Sequence, residues 1–82
     1  MKRTYFFNAT EGFKEHVILT EISIFKYRVN SSDGKLMGEV AYRFQSLVYH
    51  VLDSNEWRSA WTLGEAVRAL WKAHTTTKEH QA

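Results

Sequence analysis

Apolar residues recur along this chain at two spacings, and the change from one to the other falls at Thr62. Before it, aromatic and β-branched residues alternate with polar ones or gather in short blocks, which is the spacing of strands. After it, Leu63, Ala66, Val67, Leu70, Trp71 and His74 recur at three- and four-residue intervals, with Gly64, Glu65, Arg68 and Lys72 opposite. That is a helix with one apolar stripe. Thr62 followed by Glu65 forms a capping box, in which each side chain satisfies a free backbone N–H of the other residue, so the helix is predicted to start there. Residues 1–76 are expected to form a single compact domain. Thr77 to Ala82, polar and charged, are expected to be a frayed or disordered tail.

The first strand is predicted over Arg3 to Asn8 and ends in the turn-like Asn8-Ala9-Thr10-Glu11-Gly12. Phe13 to Glu21 admits two readings. Thr10 could cap a helix carrying Phe13 and Val17 on one face, but Val17-Ile18-Leu19-Thr20 favours a strand. Continued through Ile22 to Val29, that strand would far exceed the usual length of about 5–6 residues, which predicts a bulge or bend between Thr20 and Ser23. The parity agrees, since Ile22 and Ile24 fall on one side and Phe25, Tyr27 and Val29 on the other. Asn30 to Lys35 is a hairpin turn built on Asp33-Gly34. Strands follow over Leu36 to Phe44, Leu47 to Leu52 and Glu56 to Trp61, the last two separated by Asp53-Ser54-Asn55. The expected fold is α+β, an antiparallel meander of four or five strands with one C-terminal helix packed on one face. A single helix covers a single face, so the other is left to solvent or a partner.

Composition refines this picture in three places. At 82 residues there is room for one small core, and an aromatic share of 15% supplies bulky filler for it. Trp57, Trp61 and Trp71 are expected to fill the interface between sheet and helix. The absence of cysteine excludes a disulfide framework and a thiolate metal site. The start, Met1 to Asn8, is basic but has only three apolar residues in a row, which fits neither a signal peptide nor a membrane span, and a cytoplasmic location is expected.

The titratable groups do not converge on a reaction. His16, His50, His74 and His80 lack ligand spacing, so no metal is expected. Asp33 and Asp53 belong to turns, Glu65 to the helix cap, and Ser31, Ser32 and Ser54 to turn segments. No glycine-rich phosphate loop is present. No catalytic residue or cofactor is therefore assigned, and the protein is not expected to be an enzyme.

What remains is binding. The leading expectation is a small protein-binding module, a regulatory, accessory or inhibitory protein of the bacterial or phage type, acting through a sheet face or by forming a homodimer. Tyr5, Phe7, Phe25 and Tyr27 are its candidate contact residues, because exposed aromatics on a small domain mark protein interfaces. The alternative is a nucleic-acid-binding face made of Lys26, Arg28, Arg43 and Arg58 with His50, tempered by Glu39 and Glu56 on the same parity. A net charge of +2, from 11 Lys and Arg against 9 Asp and Glu interleaved along the chain, gives no clustered basic footprint in one dimension. A three-stranded meander followed by the strand-to-helix passage Trp57-x-x-x-Trp61-Thr62-x-x-Glu65-Ala66-x-x-Ala69-Leu70 resembles the layout of small β-sheet DNA readers. A helical reading of Thr10 to Leu19 would instead resemble the α-β-β-β-α order of double-stranded RNA-binding domains, with Thr62-Leu63-Gly64-Glu65 standing where those carry lysines.

Overall fold

A computed structural model describes residues 1–10 and 12–81, with side-chain surroundings as far as Thr76. The described residues form β1 (Lys2–Thr10), β2 (Phe13–Ser23), β3 (Lys26–Ser31), β4 (Leu36–Arg43), β5 (Ser46–Val51), β6 (Trp57–Ala60) and α1 (Leu63–Gln81). Strands lie side by side in chain order and every neighbouring pair is antiparallel. The α+β class and the meander hold, but the strands number six rather than four or five. The expected frayed segment over 77–82 lies outside the residues whose side chains are described.

The extra strand comes from the apolar run Val17 to Val29. The expected bend is present as a register shift between Glu21 and Ser23, with Ile22 as the bulged residue. It does not bend one strand; it leads into a tight turn at Ile24 and Phe25 that separates β2 from β3. Two apolar residues at a hairpin tip gave no turn signal. Because 13–23 is a strand, the α-β-β-β-α order does not apply.

The sheet curls around α1, which packs against β1, β4, β5 and β6 and so touches both edge strands. Odd positions of β1 and β2 face it, as do Tyr27 and Val29 of β3, and the core gathers Phe7, Val17, Leu19, Val29, Met37 and Val40 under Ala66, Val67 and Leu70. Met37 reaches this side because a bulge inserts it between the pairs Val29–Gly38 and Asn30–Leu36. At Gly38 there is no room for a side chain: a Cβ there would collide with the carbonyl of His50 and stand 2.7 Å from Leu70 Cδ2, and its φ is +155°. Only glycine fits both demands.

The cap forms nearly as expected. The Glu65 backbone N–H donates to Thr62 Oγ1 at 3.1 Å, and Glu65 Oε2 accepts from the backbone N–H of Trp61, also at 3.1 Å. The carboxylate thus reaches one residue further back than the usual box. It anchors the backbone of Trp61, not its ring.

The tryptophan expectation is corrected at two of three positions. Trp71 packs edge-on against Phe7, with ring centroids 6.2 Å apart, within the core. Trp57 lies on the sheet face away from the helix, paired with His50 across β5 and β6. Trp61 is 92% exposed. The stripe of the helix and the strands' own Tyr, Val and Leu close the core without them.

Candidate functional site

An antiparallel meander sends alternate connections to opposite ends. The chain start, the β2–β3 turn, the β4–β5 turn and the β6–α1 junction fall at one end; the β1–β2, β3–β4 and β5–β6 connections fall at the other. The first end is apolar. Of the exposed large hydrophobic residues, Ile22, Ile24, Phe25, Tyr42, Phe44 and Trp61 cluster there, together with Met1, whereas only Phe13 and Leu52 lie at the second end and Phe6 on a sheet face. The hairpin tips are tied together: the Tyr42 N–H donates to the Phe25 carbonyl at 2.9 Å.

Phe44 is the most telling of these residues. It forms the two-residue β4–β5 turn with Gln45, at φ 48° and 66°, and its side chain is 100% exposed. Such a turn normally carries Asn-Gly, because a bulky residue at positive φ is strained. Beside Phe44, between Gln45 and Trp61, opens a groove of about 500 Å³ lined by Tyr42, Leu47, Ala60 and Leu63 together with the polar Ser46, Ser59 and Thr62. Its volume is in the range of ligand sites, but its only titratable acid, Glu65, is held by the helix cap.

The second surface is the sheet face that α1 leaves open. Lys2, Thr20, Arg28, Glu39, His50 and Trp57 stand in one row across all six strands, each paired with the next. Lys26, Ala41, Val48 and Ser59 form the neighbouring row, with Arg43 one step beyond. The Trp57 ring is half-buried among cations: Arg43 Cζ lies 4.5 Å and Lys26 Nζ 5.8 Å from its centroid, and the His50 ring stacks on it at 5.0 Å. The His50 Nε2–H donates to the Ser54 carbonyl, which fixes the imidazole against the β5–β6 loop. Glu39 is paired with Lys26 at 3.7 Å. Across the sheet, Phe6 and His16 make a second ring pair with centroids 5.7 Å apart, beside Lys14.

The candidate contact residues do not come together. Phe7 is 6% exposed, so it is corrected from a contact residue to a core residue; it occupies the odd, helix-facing parity of β1, and Phe6 is the exposed neighbour. Tyr5 and Tyr27 are half-buried against the same core, with the Arg3 guanidinium 5.9 Å from the Tyr27 ring. Phe25 alone stands on an exposed surface, at the apolar end. Of the candidate basic set, Lys26, Arg28 and Arg43 share the open face with His50. Arg58 does not: it pairs with Tyr49 on the other parity and meets Glu56 at 3.8 Å. Strand parity pointed to Lys26, Arg28 and Arg43; Lys2, Lys14 and Trp57 were missed, because joining them requires the register of all six strands.

Among the described residues no group of three or more His, Asp or Glu gathers as a metal site, and no helix is long and apolar enough to cross a membrane. Comparison of the chain with protein-family models, with curated proteins and with solved structures finds no match.

Proposed function

We propose that this domain is a small non-enzymatic protein-binding module whose contact surface is its apolar end, and that the partner this surface fits is a second copy of the chain. The observation that carries the reading is Phe44, a wholly exposed aromatic ring held at positive φ on a hairpin tip. Strain of about 1–3 kcal/mol at a surface position persists where it serves a purpose other than folding. A protruding ring and, beside it, a groove with Tyr42, Leu47, Ala60, Trp61 and Leu63 in its lining are the ingredients of an isologous contact, in which each copy inserts its ring into the other's groove. The area is adequate too. Weighted by their exposures, Phe25, Tyr42, Phe44 and Trp61 offer on the order of 600 Å², the larger part of the about 800 Å² per partner of a standard interface. A regulatory, accessory or inhibitory role is consistent with a surface of this kind on so small a domain.

Sedimentation over a concentration series tests this. The wild-type chain should reach the mass of a dimer, and Phe44→Ser or Trp61→Ser should return it to a monomer of unchanged melting temperature. A wild-type chain that stays monomeric up to about 1 mM, a concentration at which even a contact worth only about 4 kcal/mol is half formed, would overturn the proposal.

A further inference from the structure

We propose that the open face of the sheet is a binding surface for single-stranded nucleic acid. Charge that is interleaved along the chain is sorted by the fold. The strands place Lys2, Lys14, Lys26, Arg28 and Arg43 on this face, with Glu39 as its one acidic residue among the described residues, so these described residues carry +4 on a chain whose net charge is +2. Lys26 takes up Glu39, and among the described residues no other ion pair forms there. Lys2, Lys14, Arg28 and Arg43 are left for an anionic partner. Charge complementarity therefore selects a polyanion.

The aromatic residues select which polyanion. The basic side chains run diagonally from Lys14 at the far end of β2, through Arg28 and Lys26, to Arg43. A ring pair flanks each end of this path, Phe6 with His16 and Trp57 with His50. Rings beside a line of cations suit unpaired bases, which stack on aromatic surfaces while the phosphates follow the charges. Six strands about 4.8 Å apart make a face roughly 24 Å wide, twice the width of a major groove that admits a helix or a two-stranded ribbon, so the bases that reach rings at both ends of the path are unpaired ones. This surface adjoins the apolar end at Lys26 and Arg43 but is made of other residues, and neither proposal depends on the other.

Fluorescence anisotropy with labelled 20-nucleotide oligothymidylate and oligouridylate tests the inference. Binding is expected at low salt, with log K falling against log salt at a slope of roughly −3 if four phosphates are neutralised. Arg28→Gln and Arg43→Gln should each flatten the slope by about 0.7, whereas Arg58→Gln on the other parity should leave it unchanged. Trp57→Phe should retain binding and Trp57→Ala should weaken it at least fivefold; Phe6→Ala, at an exposed site, repeats that test should Trp57→Ala prove unfolded by circular dichroism. Phe44→Ser should bind as the wild type does per chain. No retardation at about 20 mM salt would overturn the proposal. So would heparin competing as well as the oligonucleotides while Trp57→Ala and Phe6→Ala have no effect, since the face would then recognise charge alone.

Discussion

The two ends of the meander are made by the same kind of connection and differ in the residues that build it. At one end, the β3–β4 and β5–β6 connections, residues 32–35 and 52–56, are polar apart from Leu52 and hold themselves together. Asn30 Nδ2 donates to the Gly34 carbonyl at 3.2 Å, the Lys35 N–H donates to Ser31 Oγ at 3.2 Å, and the Glu56 N–H donates to Ser54 Oγ at 3.2 Å. At the other end the tips are Ile24-Phe25 and Phe44-Gln45, with no side-chain hydrogen bond of their own among the described residues. Turns that serve only the fold are built as the first kind. The second kind exposes apolar rings and holds one of them, Phe44, at positive φ, where the polar end holds Asp53, a residue that tolerates that conformation; the proposed contact surface rests on this contrast.

The largest effect separates exposed rings from core. Leu70→Ala removes a side chain that is fully buried against the sheet and should destabilise the domain by about 2–5 kcal/mol. Trp61→Ala, a larger truncation, should cost less than about 0.5 kcal/mol in the monomer, because the ring touches little. Chemical denaturation at a concentration low enough to keep the chain monomeric measures both. Equal losses would mean that Trp61 belongs to the core and that the contrast between the ends is wrong.

From sequence spacing Trp61 would be placed in that core, and the reason shows what one dimension can carry. Periodicity located α1 and its buried stripe, because Leu63, Ala66, Val67 and Leu70 repeat within a single element. It also gave the alternation that puts Lys26, Arg28 and Arg43 on one face. It could not say which face of a strand lies under the helix, so Trp57 was assigned to the wrong side of β6. Nor could it see that Ile24-Phe25 is a turn, since an apolar pair between strands reads as more strand, while the break expected after Phe44 falls one residue late, because Phe44 itself belongs to the turn. The signal that could have found the apolar end was the breaking of the turn rule itself: a stretch from Phe13 to Val29 too long to be a single strand, whose tip at Ile24-Phe25 is apolar.

A smaller effect, of opposite sign, sharpens the account of Phe44. Replacing Phe44 with Asn and Gln45 with Gly installs the pair that a positive-φ two-residue turn prefers. The monomer should gain about 1 kcal/mol as the strain is relieved, while self-association is lost with the ring. Stability rising as the dimer disappears, read from denaturation and sedimentation of one variant, is an outcome that a merely structural Phe44 cannot produce. A variant that is less stable and still dimeric would refute the strain argument.

The smallest effect belongs to the polar end. The Ser31 hydroxyl, donating to the Asp33 carboxylate, is the main reason that this group's pKa is lowered, with the Lys35 and Asp33 backbone N–H groups and the Lys35 charge adding to it. A carboxylate whose pKa is lower in the folded than in the unfolded chain stabilises the fold in full above its unfolded pKa. That contribution fades as the pH falls through the folded pKa, so the hairpin should weaken only in acid. Ser31→Ala removes the main cause, so Asp33 should titrate closer to an ordinary aspartate and the acid-side loss should shrink. Carbon-13 NMR of the side-chain carboxyl follows this directly. A mutant Asp33 that titrates where the wild-type residue does would mean that backbone donors alone hold the turn, and that its self-sufficiency does not rest on side-chain chemistry that the apolar end lacks.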